Sequence, residues 1–272
     1  MTKQNRILFV SQEITPYVAE SEISKISRYL PQHIQEKGYE IRSFMPRYGN
    51  INERRNQLHE VIRLSGMNIV IDDNDHPLII KVASIPSARM QVYLIDNEDY
   101  FQRKSMVTDE GGAFYGDNDE RMIFFSRGTL ETIKKLRWQP SVVHCHGWFS
   151  MMTPFFVKKA YHDDPLFAKS KIVASVYDEE FNAHFDQNFA KKAQLDGVKP
   201  KDVELLSANP GYVSLMKFAF SQADGIIIGS PKINAELQKF ISTLKIPVLP
   251  YQAPEHYVDA YAAFYDEIIF KK

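Results

Sequence analysis

Two hydrophobic rhythms alternate along this chain. Arg6-Ile7-Leu8-Phe9-Val10 places four apolar residues in a row, and the lack of alternation predicts a strand covered on both faces, as in a parallel sheet. Ile23, Ile26, Leu30 and Ile34 then follow at i, i+3, i+7 and i+11, one stripe at helical period. Pro31 lies inside that stripe as a kink site. Gly38 ends it, where a left-handed terminus is favoured. Glu40 to Met45 is a second strand, closed by Pro46, and strand, helix, strand makes a βαβ unit.

The rhythm shortens after Ile51. Ile69-Val70-Ile71, Leu78 to Val82 and Val92 to Ile95 predict short strands, with Asp72-Asp73-Asn74-Asp75 as the turn of a hairpin. Residues 102–117 hold three glycines and few apolar positions, a loop. A helix from about Asp119 to Arg137 buries Met122, Phe125, Thr129, Leu130 and Ile133 and stops at Trp138-Gln139-Pro140. Val142 to His146, Ile172 to Val176 and Gly225 to Gly229 read as further core strands. Helical segments run over Phe155 to Tyr161 and Tyr212 to Gln222, another starts at Pro231 as a first-turn proline, and an aromatic-rich one closes the chain at Tyr257 to Phe270. Strands alternating with helices predict an α/β fold, a single doubly wound Rossmann-like domain with a β-hairpin insertion and a C-terminal aromatic helix.

Composition narrows the classes of function. Lys and Arg number 33 against 34 Asp and Glu, a net charge of −1, which removes the electrostatic basis for general nucleic-acid or anionic-membrane binding. The single Cys145 excludes an intramolecular disulfide and a multi-cysteine metal site. No apolar run reaches the ~18 residues of a membrane span. The stretch Met1 to Arg6 leads into only four apolar residues, too few for a signal-peptide core. The expectation is a soluble, cytoplasmic protein with no metal and no cofactor. Gly-x-Ser-x-Gly, Walker, Gly-x-Gly-x-x-Gly and His-Glu-x-x-His patterns are all absent from the sequence.

Five segments, in order, carry a resemblance. They are Phe9-Val10-Ser11-Gln12-Glu13-Ile14-Thr15-Pro16-Tyr17-Val18; Gly38 to Arg42 with Met45-Pro46-Arg47-Tyr48-Gly49; Asp117 to Arg121 with Phe124-Phe125-Ser126-Arg127; Trp138 to His146; and Gln222 to Gly225 leading to Gly229-Ser230-Pro231 and Glu236. Together they resemble the N-terminal catalytic domain of bacterial glycogen and plant starch synthases, over about residues 6–240. The resemblance implies the N-terminal half of a GT-B fold, whose family moves glucose from ADP-glucose to an α-1,4-glucan in a cleft between two Rossmann-like domains. Residues 1–250 are expected to form that domain, with 251–272 as a tail helix packed on it; a dimer contact is the rival for the aromatic stripe.

The departures from the family are as informative. The family's first strand–helix loop carries Lys-x-Gly-Gly, in which glycines admit a phosphate to the helix N-terminus and lysine neutralises it. Here the stretch is Ala19-Glu20-Ser21-Glu22, so Ala19, Ser21 and Glu22 form a degenerate phosphate-binding loop. The family's His-x-His-Asp-Trp-His becomes His144-Cys145-His146-Gly147-Trp148-Phe149, and its His-Asn pair becomes Tyr177-Asp178, with Glu179 and Glu180 behind as an expected solvated acidic loop. Glu13, His146, Trp148 and Tyr177 remain as candidates for a sugar cleft, with Trp148 as a stacking ring; the plainer reading makes His146 and Trp148 packed scaffold. Asp117 or Asn118 is expected to cap the helix that Arg121 anchors by pairing. No catalytic residue is assigned.

Three functional readings follow. The first is a single-domain protein of glycogen metabolism, a pseudoenzyme without autonomous catalysis that binds an α-glucan or a partner enzyme. The second is a glucosyltransferase using ADP-glucose, alone or completed by a second chain. The third is a small-molecule-binding Rossmann protein.

Overall fold

The computed structural model describes residues 5–195 and 197–270. The readings of Met1 to Gln4 and of Lys271-Lys272 lie outside them. Ten strands run β1 (Arg6–Ser11), β2 (Glu40–Pro46), β3 (His59–Glu60), β4 (Met67–Ile71), β5 (Asn74–Ile85), β6 (Met90–Asp96), β7 (Val142–His146), β8 (Lys171–Val176), β9 (Gly225–Ile228) and β10 (Val248–Leu249). The longer helices are α1 (Glu22–Glu36), α2 (Asn118–Lys135), α3 (Tyr212–Phe220), α4 (Ala235–Thr243) and α5 (Tyr257–Phe270).

The sheet is ordered β10-β9-β8-β7-β1-β2-β6-β5-β3, with β4 paired to β5. Six neighbouring pairs from β10 to β6 are parallel. The edge from β6 onward is antiparallel and holds the expected β4–β5 hairpin, turned at Asp72 and Asp73, both at positive φ. The central strand β1 is the consecutive apolar run, and Ile7 to Val10 are wholly buried. This is the doubly wound α/β architecture that the alternating rhythm predicts.

From β1 the chain winds outward one way through α1 to β2 and β6. It returns by α2 to β7, on the other side of β1, and winds outward through β8 and β9. The topology therefore switches between β1 and β7, and in open α/β sheets ligands bind beyond the carboxyl ends of the strands at such a point. Gln12-Glu13 and Gly147-Trp148 follow those two ends directly.

Each face of the sheet has its own cover. One is α2, α3 and the aromatic cluster around Trp148 and Phe149. The other is α1 and α5: Leu30 and Ile34 from α1, with Tyr261, Phe264, Tyr265 and Ile268 from α5, lie over Ile7, Phe9, Val142, Val173 and Ile227. Those four positions of α5 fall at i, i+3, i+4 and i+7, the spacing of one buried face. Gly225 lets α5 come close, because a Cβ there would stand 2.7 Å from Ile268 and 2.9 Å from the Phe264 ring.

Among the local expectations, one holds and the others change. Gly38 does take a left-handed conformation after α1, φ +93°. Pro231, however, opens no helix: α4 begins four residues later, capped by Asn234, whose side chain accepts from Glu236 N and Leu237 N. At α2, Asp117 occupies the cap position but caps nothing. Its carboxylate is drawn instead to the Arg103 guanidinium. Asn118 accepts from Arg121 and donates to the Val107 carbonyl, and Arg121 donates to the Tyr100 carbonyl. Arg121 is thus held by neutral acceptors rather than by an acid, in a buried site that lowers its pKa to about 10.

Candidate functional site

The loop from β1 to α1 meets the carboxyl ends of β7, β8 and β9, and side chains of the domain itself fill the junction. Ser21 caps α1: its hydroxyl accepts from Ser24 N, and Ser24 Oγ in turn accepts from Ser21 N. Two of the amide donors that a helix N-terminus would offer to an anion are thereby satisfied internally. Ser21 Oγ also donates to Glu13 Oε1, so the loop residue after β1 is tied to the helix cap. Burial raises the Glu13 pKa, and the Ser21 bond only partly opposes the rise.

The next residue closes the mouth. Glu22 accepts a hydrogen bond from the Ser230 hydroxyl just beyond β9, and Ser230 Oγ accepts from Asp178 N at 3.0 Å. Ala19 carries no charge, and Glu20 turns outward to Lys25 at 3.1 Å. Among the described residues, the cation in this first helical turn is Lys25, already paired with Glu20. The carboxylates of Glu20 and Glu22 suit the partial positive charge of the helix start and oppose a phosphate there.

Behind this lies a buried polar chain. His144 and His146 sit on one side of β7, as strand alternation requires. His146 Nε2 is 3.1 Å from His144 Nδ1, and His146 Nδ1 is 2.7 Å from the Tyr177 hydroxyl. His144 Nδ1 and Nε2 lie 2.6 Å and 2.7 Å from Tyr265 OH and Ser175 Oγ. All four rings are buried. Desolvation lowers both imidazole pKa values, that of His146 to about 3, and raises both phenols. Every partner is neutral at pH 7, so the network positions side chains and stores no charge. Tyr177 is packed on Gly229, where a Cβ would come within 2.3 Å of its ring.

Trp148 is 3% exposed. Its ring contacts Phe114, Phe149, Phe181 and Phe185 at centroid distances of 4.8–5.9 Å, which leaves no face open to a sugar. The backbone N–H of Trp148 donates to Glu179 Oε1 at 2.9 Å. Glu179 is therefore no solvated loop residue. Its other oxygen, Oε2, is buried without a hydrogen-bond partner. Burial and the nearby Glu13 charge push its pKa well above the ordinary range.

Gly147 adopts φ +80°, ψ 151°, a region open essentially to glycine alone. A Cβ there would meet the Gln12 side chain at 2.7 Å. Gln12 links the two strand ends, donating from its backbone to the His146 carbonyl and accepting from Phe149 N. Cys145 points to the opposite face, buried, with its thiol pKa raised. No group of three or more His, Cys, Asp or Glu among the described residues could hold a metal, and no helix among them is long and apolar enough to cross a membrane.

The sequence candidates thus converge on one place. Glu13, Ser21 and Glu22 share a hydrogen-bonded lid, and His146 and Tyr177 form a chain beneath it; Trp148 stands in the adjacent aromatic cluster. Sequence reasoning missed Ser230, Gln12, Ser175 and Tyr265 as partners. Ser230 lay inside a quoted motif and Tyr265 inside the aromatic stripe, but nothing in one dimension pairs residues 208 or 121 positions apart.

Known proteins resemble this chain over most of its length. The family model for the starch synthase catalytic domain matches residues 6–245. Glycogen synthase of Chlorobaculum tepidum is 34% identical over 239 residues, which is 87% of this chain and 48% of the relative. That of Chlorobaculum parvum is 30% identical over 256 residues, 90% of this chain and 52% of the relative. The chain spans about half the length of these curated relatives. Among solved structures, the catalytic domain of starch synthase IV from Arabidopsis thaliana, bound to ADP and acarbose, superposes with a TM-score of 0.69 at 17% identity, covering 91% of this chain and 52% of that one; this likeness speaks to the fold.

Proposed function

The chain belongs to the family of starch synthase catalytic domains, and on that premise we propose that it transfers no glucose by itself and serves glycogen metabolism by binding, with an α-glucan as its ligand. One observation carries the reading: Ser21, Ser24, Glu22, Glu13 and Ser230 together occupy the start of α1. That is where the family resemblance puts a lysine and two glycines for the donor's phosphates. The solved relative was captured with ADP and with acarbose. Of these two chemistries, the closed helix end, with its carboxylates and its lysine already paired, disfavours the phosphate-bearing one and leaves the saccharide.

The test is transfer of labelled glucose from ADP-glucose to glycogen by the isolated chain. No incorporation above background is expected. Robust turnover would overturn the reading. Incorporation that appears only on adding a chain with a nucleotide-binding domain would support the alternative, a transferase completed in trans.

A further inference from the structure

The fold-back of α5 creates a groove beside the site above, with Glu22 and Gly229 common to both. It has a volume of about 270 Å³ and lies between the first turns of α1 and the segment leading into α5. Tyr29, Tyr251 and Tyr257 wall it, and Glu22, Lys25 and Gln252 supply its polar atoms. Tyr29 is 47% exposed, a large aromatic left to solvent. Tyr257 is held upright by an edge-to-face contact with the buried Tyr261, centroids 5.9 Å apart.

We propose that this groove is a stacking site for a neutral chain of α-linked glucose. The inference rests on the reading that the domain binds a glucan, and it states where. The chemistry selects the ligand class. Tyrosine rings offer apolar faces beside hydroxyls that remain wet, which matches a pyranose, with its C–H faces and equatorial hydroxyls. Among the described residues, Lys25 is the cation in the lining, and it is already paired with Glu20. The lining carboxylate of Glu22 accepts from Ser230. Lys25 is thus engaged, and Arg28, whose guanidinium stands 5.1 Å from the centre of the Tyr29 ring, is bonded to Gln32 and Ser87, so a nucleotide is a poor fit. The volume is just under the ~300 Å³ at which drug-sized sites begin, suited to one sugar ring with the rest of the chain running along the surface. Gln252 supplies an amide on the segment between β10 and α5, and its Nε2 now donates to the Pro250 carbonyl at 2.9 Å.

The experiment is calorimetric titration of the full chain with maltoheptaose, cellohexaose and ADP, for the wild type and for Tyr29→Ala and Tyr257→Ala. Both tyrosines lie outside the buried core, and thermal melts of the variants establish that they fold. Maltoheptaose is expected to bind the wild type, with neither cellohexaose nor ADP competing. Each variant should weaken binding at least about fivefold and the double variant abolish it. If maltoheptaose binds wild type and variants alike, the groove is the wrong place and the glucan reading survives. If the wild type binds no maltoheptaose, both fall. Equal binding of cellohexaose would overturn the α-linkage.

Discussion

The carboxylate of Glu22, at the first residue of α1, accepts a hydrogen bond from the hydroxyl of Ser230, just past β9. This single bond ties the helix start to the far side of the strand ends, across the space where the family resemblance puts the donor's phosphates. Glu22→Gln should keep the contact geometrically but lose its charge assistance, at a cost of about 1 kcal/mol. Ser21→Ala removes the cap and the Glu13 contact together and should cost about 1–2 kcal/mol. Denaturant melts measure both. Neither variant should gain ADP binding, since the lysine and the glycines remain absent; an ADP-binding Glu22→Gln would show that one carboxylate alone holds the site shut.

His146 gives a pH signature. Burial holds its folded pKa, about 3, below the ordinary value of 6.5. A histidine with a lowered folded pKa contributes stability that is complete above about pH 6.5 and is lost as pH falls, because the unfolded chain takes up the proton first. His146→Gln removes this titration. At pH 7.5 the variant should be less stable than wild type by about 1–3 kcal/mol, through the lost Tyr177 partner. The gap should narrow by up to about 1.4 kcal/mol per pH unit below 6.5. A gap that is the same at pH 5.5 and 7.5 would refute the buried, neutral imidazole.

Glu179 should show the opposite slope. Its folded pKa is raised by burial, so its contribution is present below the unfolded value near 4.5 and is lost as pH rises toward the folded one. Glu179→Gln keeps an acceptor for the Trp148 N–H and removes the titration. It should match wild type near pH 4.5 and become progressively more stable than wild type toward pH 8. Melting temperatures across that range decide the sign.

Gly147 stands where the family resemblance places an aspartate. Gly147→Asp forces a side chain into a glycine-only backbone region and against Gln12. The expected loss is about 1–3 kcal/mol from the backbone alone. A fully stable Gly147→Asp would mean that the β7 loop can take a second conformation, and would reopen the family's site.

The fold was largely legible because it is written in short-range patterns. The unbroken run Ile7 to Val10 announced a doubly covered strand, the Ile23–Ile34 stripe announced α1, and the acidic turn after Ile71 announced the hairpin. Two-residue strands such as β3 and β10 carry no periodicity to read, and Pro231 misled because its signal is shared by turns and helix starts. The acidic run at 178–180 misled for a different reason. Asp178 and Glu180 are exposed, as charge runs usually are, but Glu179 between them is turned inward by the backbone N–H of Trp148.

Read alone, then, the chain already announced a doubly wound domain of the starch synthase kind, with Ala19-Glu20-Ser21-Glu22 standing where the family resemblance puts Lys-x-Gly-Gly. Local spacing and residue chemistry suffice for that. Only the tertiary structure decided what the replacements do. Ser21 and Glu22 reach Glu13 and Ser230, Tyr177 joins His146, and Tyr265 of the tail helix joins His144. Those partners lie 8 to 208 positions apart in the chain. They meet because β1, β7, β8 and β9 end at the same edge of one sheet, and because the buried face of α5 brings its tyrosines down upon it.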